Sequence, residues 1–168
     1  MRQMRVVNRL ADCELEEIQS WQYKTTNGSD DLVWRDSQEH ILCQVDSRLV
    51  CRVGILEHSV LTPDGALVVG GIGRVVTKPC CRNLGHATAT MRFAAEFLRA
   101  QRGLSFGILF CVPELIPFYT RLGWSVIPDV VIIRQPLGTV RCPVATMCLG
   151  FDDLDWPAGP LDLGSEPW

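Results

Sequence analysis

The stretch Val75-Val76-Thr77-Lys78-Pro79-Cys80-Cys81-Arg82-Asn83-Leu84-Gly85-His86-Ala87 joins two periodicities. Residues 66–77 have the apolar, β-branched character of a strand, whereas beyond residue 82 apolar side chains return at helical spacing. Between them lies a loop of the form R-x-x-G-x-A that opens a helix. The first amides of a helix have no partner within it, the helix dipole adds partial positive charge there, and Gly85 lets backbone approach a ligand closely. The segment is therefore built to receive an anion, with Arg82 placed to add a bidentate contact. An ordinary turn uses glycine in the same way, so the spacing alone leaves both readings open.

Working outward, the spacing predicts a helix over residues 82–101, with Leu84, Met91, Ala94, Ala95 and Leu98 as its buried stripe and Gly103 to end it. Residues 106–112 are wholly apolar, as in a strand covered on both faces. A helix opened by proline is expected over 113–122, closed by Gly123. Upstream, residues 40–46, 49–61 and 66–77 read as three antiparallel strands, separated by the turn sequences Asp46-Ser47-Arg48 and Thr62-Pro63-Asp64-Gly65. A first strand is expected over 5–10. It leads to a helix from Asp12, whose side chain would cap it, with Glu14, Glu16 and Glu17 favouring the first turn and Leu15, Ile18 and Trp21 buried. Residues 25–31, with Asn27-Gly28-Ser29, read as loop, and 124–149 as further strands broken by Pro128, Pro136 and Pro143. The fold class is α+β, mixed α/β, in a single domain spanning 1–168 with an acidic tail over 150–168.

Composition narrows the function classes. The chain has 168 residues, 47% hydrophobic and 21% charged, which suits one core and excludes disorder. Its apolar runs are shorter than the ~18–20 residues that cross a bilayer, and no apolar export segment follows Met1, so a cytoplasmic location is expected. Of the eight cysteines, Cys43, Cys51, Cys111 and Cys148 lie in apolar runs and read as buried thiols. No cysteine or histidine spacing matches a metal site, so none is expected. The net charge of −3 disfavours a nucleic-acid partner. Five of the 19 acidic residues and none of the 16 basic ones fall in 150–168, so a faintly basic body carries the acidic tail.

Phe110-Cys111-Val112-Pro113-Glu114-Leu115-Ile116-Pro117-Phe118-Tyr119-Thr120-Arg121-Leu122-Gly123-Trp124 follows the apolar strand. Together with the loop above, in this order and at this separation, it resembles the GNAT superfamily of acyl-CoA-dependent N-acyltransferases over roughly residues 49–124. The resemblance implies a central, mostly antiparallel sheet flanked by helices. The strands 66–77 and 106–112 would splay apart around acetyl-CoA as co-substrate. Val75, Val76 and Thr77 would offer backbone to the pantetheine, and Arg82, Asn83, Leu84, Gly85, His86 and Ala87 would hold the pyrophosphate, Ala87 standing where the family usually has a second glycine. Tyr119 matches the tyrosine that, in many relatives, protonates the departing thiolate, though taken alone it also reads as a core aromatic next to Phe118. A phenol of pKa ~10 can do so for a thiolate near ~8.5 across a short hydrogen bond.

Residues 156–168 look like the tail of bacterial aminoglycoside 2′-N-acetyltransferases, enzymes of antibiotic resistance. That likeness implies an acceptor pocket in which Asp162, Glu166 and the carboxylate of Trp168 attract ammonium groups while the indole covers a sugar or cationic face. A solvated acidic tail would read the same way. One departure matters: where those enzymes carry an acidic residue before the loop, this chain has Gly73, followed by Arg74. The base that must leave the attacking nitrogen neutral is open among Glu57, His58, Asp30, Asp31 and Glu114. The leading expectation is direct transfer of acetyl to a primary amine of a small cationic molecule, an aminoglycoside being one such acceptor. A protein or peptide amine is the alternative within the class, and a silent acyl-CoA-binding regulatory module the alternative outside it. An acyl-cysteine route through Cys80, Cys81 or Cys111 has no legible Cys-His pair. The expected partners are the small-molecule amine and, as an open possibility, a second copy in a homodimer, with neither nucleic acid nor membrane.

Overall fold

The computed structural model describes residues 1–21 and 31–168; the loop expectation over 25–31 and the candidate base Asp30 lie in whole or part outside the described residues. The chain runs β1 (Arg2–Val7), α1 (Asp12–Ser20), β2 (Glu39–Val45), β3 (Arg48–Thr62), β4 (Gly65–Thr77), α2 (His86–Ala100) and β5 (Phe106–Cys111). It continues through α3 (Ile116–Thr120), β6 (Ser125–Val126), β7 (Val131–Gln135), β8 (Gly138–Arg141), β9 (Ala145–Gly150) and β10 (Leu161–Asp162). These strands form one sheet in the order β6-β9-β5-β4-β3-β10-β7-β8, with β1 and β2 branching from β3. Pairing is antiparallel except at β4–β5 and β10–β7. Among the described residues no helix is long and apolar enough to cross a membrane.

The hairpins form where turn residues were expected. Asp46 and Ser47 both have positive φ, as the tight two-residue connection of β2 and β3 requires. Strand β3 is long enough to use both ends of its free edge, pairing β2 through Ile55 and β10 at Leu61. One face of the sheet is covered by α2, whose Met91, Ala94 and Leu98 pack with Ile41, Val53, Ile55, Ile72, Leu109 and Trp124. The other face is covered by the C-terminal segment, where Leu161, Leu163 and Trp168 join Val60, Val69, Ile108 and Ile133.

Two glycine positions in β4 make this double covering possible. A Cβ on Gly70 would lie 2.6 Å from Leu98 of α2, and one on Gly71 would lie 2.4 Å from the indole of Trp168, so each overlying side chain sits in the space a larger residue would fill. The parallel pairing of β4 and β5 runs from Gly70↔Gly107 to Ile72↔Leu109 and stops. Just beyond, the β3–β4 register shifts and Arg74 has φ 52°, a bulge that bends β4 away from β5. The two strands therefore splay.

Several local expectations are corrected. Strand β1 ends at Val7, where its pairing with β2 ends. Ala11, not Asp12, occupies the cap of α1, and its N–H donates to the Glu14 carboxylate at 2.9 Å. Leu15 is exposed while Ile18 and Trp21 are buried, because i, i+3, i+6 positions drift round a 3.6-residue helix. Helix α2 starts at His86 and not 82, which leaves Leu84 in the loop and exposed. The helix expected over 113–122 divides into a turn of 3-10 helix, Pro113–Leu115, and α3, since Pro117 has no N–H to continue the first turn.

Candidate active site

Beside the end of β4 lies a cavity of about 490 Å³. Val75, Val76 and Thr77 of β4 form one wall, and Arg82, Asn83, Gly85, His86, Ala87 and Thr88 form the rim. Leu115, Phe118 and Tyr119 close the side across from β4. Of the residues expected around the coenzyme, Leu84 alone does not line this cavity, bordering instead a neighbouring hollow that His86 shares. A 3-10 turn, Pro79–Cys81, carries the chain off β4, and the Arg82 Nε–H donates to the Thr77 carbonyl at 3.3 Å, folding the side chain back over the strand end.

Gly85 caps α2 with φ 75°, and a Cβ there would meet nothing within 4 Å. The first intrahelical bond is from Ala89 N–H to Gly85 C=O at 3.1 Å, so the amides of His86, Ala87 and Thr88 precede the helix's own pairing. Open space, unpaired amides and a helix N-terminus together fit a diphosphate. His86 is buried with its Nδ1 unpartnered, and burial followed by the charge of Arg2 lowers its pKa, keeping it neutral.

Tyr119 is 5% exposed, edge-on to Phe118 at 5.0 Å between ring centroids. Burial, then the nearby Cys111 and Cys51 thiols, pushes its pKa above the ordinary phenol value. It remains a protonated phenol, hence a donor, at any ordinary working pH.

The acceptor-side expectations are distributed differently. Trp168 is 4% exposed; its indole lies on Gly71, its backbone carbonyl carbon lies 3.0 Å from a Cβ built on Gly73, and its Nε1–H donates to Ile108 C=O at 3.4 Å. Its ring meets Phe110 at 5.3 Å, which in turn meets Trp34 at 6.2 Å. The Asp162 carboxylate accepts from Gly164 N–H at 2.8 Å and from Arg134 at 3.4 Å, while Glu166 is half-buried. Among the candidate bases, Glu57 pairs with Arg102 at 3.5 Å on the α2 side, and Asp31 and Glu114 are exposed. His58 Nδ1 accepts from Arg35 at 2.8 Å, so the proton is on Nε2, which donates to Leu163 C=O at 2.7 Å. That ring fastens the C-terminal segment to β3 and has no nitrogen to spare. Trp34, Phe110 and Phe118 belong to the site's surroundings without any signal beyond their being aromatic.

Fold and cavity together define an acyl-CoA-dependent transferase. A family model described as an acetyltransferase (GNAT) domain matches residues 6–127, and the chain belongs to that family. It is an N-acetyltransferase with acetyl-CoA as co-substrate. Solved structures agree on the fold. ElaA of Escherichia coli is 20% identical, with 89% of this chain and 99% of that one covered and a TM-score of 0.56. The YhbS acetyltransferase of E. coli, in complex with CoA, is 16% identical, with 76% and 68% covered and a TM-score of 0.55. A GCN5-related N-acetyltransferase from Kribbella flavida is 16% identical with a TM-score of 0.56; the alignment takes in 75% of this chain, which spans about a third (34%) of that longer protein. No curated protein matches the chain in sequence.

Proposed function

We propose that the protein moves acetyl from acetyl-CoA to the primary amine of a small cationic acceptor by direct attack, with Tyr119 as the proton donor. The supporting observation is that one cavity, beside the end of β4, joins the free amides before Ala89 to the Tyr119 ring. Acetyl-CoA supplies the activated thioester. Val75, Val76 and Thr77 line its path, residues 82–87 hold its diphosphate, and the Tyr119 hydroxyl gives its proton to the departing sulfur. The acceptor enters on the face away from α2, where Phe110 and Trp34 are half-buried and Glu166 lies on the overlying segment. Aromatic faces and a carboxylate suit an ammonium-bearing molecule; aminoglycosides are one class of such amines. Gly73 carries no carboxylate and both His58 nitrogens are engaged; in this reading the amine loses its proton to water before attack. kcat/KM then rises with pH and levels at the acceptor's own pKa.

A screen of acetyl-CoA turnover by thiol release, over aminoglycosides, polyamines, arylalkylamines and peptides, tests this reading. Turnover with one or more of the small amines is expected. Turnover confined to peptide amines, or none despite coenzyme binding, overturns it.

A further inference from the structure

Cys80 and Cys81 take no part in the chemistry above, yet they immediately precede the loop that rims its cavity. Their sulfurs are 3.7 Å apart on the turn Pro79–Cys81, which ends where the diphosphate loop begins. Cys80 is exposed and Cys81 half-buried, in contrast to the buried Cys43, Cys51, Cys111 and Cys148. Both line a second cavity, of about 510 Å³, together with Arg48 and Lys78, and Cys81 also borders the coenzyme cavity. Burial and the adjacent Cys80 raise the Cys81 pKa, with the Lys78 ammonium opposing them.

We propose that Cys80 and Cys81 form a thiol–disulfide exchange site for anionic low-molecular-weight disulfides, and that closing the pair shuts the coenzyme loop. Arg48 and Lys78 bring cations to a cavity whose Asp46 is paired with the N-terminal ammonium at 2.6 Å; with Lys78 held by Glu17 at 2.8 Å, Arg48 is the group that draws such a disulfide in. Cys80, the more exposed thiol, loses its proton and attacks one sulfur of the small disulfide; that S–S bond breaks and the first small thiol leaves carrying a proton. Cys81 then attacks the Cys80 sulfur, the mixed disulfide breaks, and the second small thiol leaves with the Cys81 proton. Two electrons have passed from the protein to the small disulfide.

Closure cannot leave the turn in place. Neighbouring Cα atoms are about 3.8 Å apart, nearer than the ~4.4–6.8 Å of relaxed disulfides, and the sulfurs must approach from 3.7 Å to ~2.05 Å. The turn is held by Cys81 N–H to Lys78 C=O at 2.8 Å and Arg82 N–H to Pro79 C=O at 3.3 Å. Distorting it displaces Arg82 and the amides that follow. A strained, exposed disulfide is also readily reduced, so the change is reversible.

This rests on residues 82–87 holding the diphosphate, and the test separates the two ideas. The reduced protein is titrated with acetyl-CoA by calorimetry, then again after treatment with oxidised glutathione and after re-reduction with dithiothreitol, each state being mapped by mass spectrometry. Expected are the loss of two hydrogens within the Cys80-Cys81 peptide, an affinity about tenfold or more weaker, and recovery on reduction. Cys80→Ser should bind acetyl-CoA as the parent does and keep its affinity through the same treatment. A stable glutathione adduct in place of the internal bond, an unchanged affinity after closure, or an equal loss in Cys80→Ser overturns the proposal. The mass readout is independent of the coenzyme, whereas Gly85→Glu in the reduced protein tests the loop reading alone.

Discussion

Tyr119 shows how position and environment make a common residue specific. It lies on the five-residue helix α3, whose first turn carries Pro117, and burial keeps its proton on. Tyr119→Phe keeps the ring and its packing but removes the donor, so kcat should fall about 10²–10⁴-fold with acetyl-CoA affinity nearly unchanged. Steady-state rates under conditions where chemistry limits, paired with calorimetry, check it. Since the phenol pKa is raised, the kcat profile should show no descending limb from this group below about pH 10. His40 carries the opposite kind of shift, brought down to about 4 by burial and then by Arg52. Its unfolded form takes up a proton near ~6.5, ahead of the folded form, so stability is lost as pH falls from there toward 4. Thermal melts at pH 7 and pH 5 should show a lower Tm at the acid end, and His40→Asn should shrink that difference. In the sequence, His40 is merely a polar residue in a strand and His58 one of several candidate bases; the arrangement of Arg52, Arg35 and the C-terminal segment around them gives each its distinct surroundings.

In the proposed mode of binding, coenzyme recognition turns on the loop from β4 into α2. Gly85→Glu places bulk and negative charge in the open space beside the unpaired amides of His86, Ala87 and Thr88. The left-handed φ at Gly85 would strain any side chain, so Gly85→Asn, which tolerates that conformation, is the companion variant. Acetyl-CoA binding should be abolished or weakened at least about tenfold in Gly85→Glu and largely kept in Gly85→Asn, by calorimetry on proteins with matched circular dichroism. This element was legible in the sequence because a strand period, a turn and a helix period follow one another without interruption, and the same holds for the β2–β3–β4 meander with its Asp-Ser and Pro-Asp turns. The start of α2 was displaced by four residues because Leu84 fits the apolar period equally well inside the helix or just before it. The β4 bulge was not legible at all. An arginine at positive φ has no propensity to announce it, and it sits where the β3–β4 register shifts, just past the last β4–β5 pair.

At the scale of the whole molecule, the C-terminal segment changes its meaning most. Its acidic composition suggested a tail reaching for cations, but Leu161, Leu163 and Trp168 are core residues, and β10 sits between β3 and β7. Backbone bonds from Arg35 N–H to Pro167 C=O at 2.7 Å and from Arg134 N–H to Ser165 C=O at 2.9 Å tie it across the sheet. The alternation of Leu161 and Leu163 around Asp162 carried that information, though two residues are too short a strand for periodicity to reveal. Removing residues 161–168 would therefore strip one face of the sheet and unfold the domain, whatever the acceptor does. Trp168→Ala should cost about 3–5 kcal/mol through the cavity left over Gly71 and Gly73, read as a lower midpoint in urea with little change in slope. Glu166→Gln leaves that packing alone and removes only charge. It should raise KM for a cationic acceptor, more at low salt than at high, with the urea midpoint unmoved. A KM unaffected by Glu166→Gln at either salt would assign the segment to stability and move recognition of the acceptor's charge to the aromatic side chains Trp34 and Phe110.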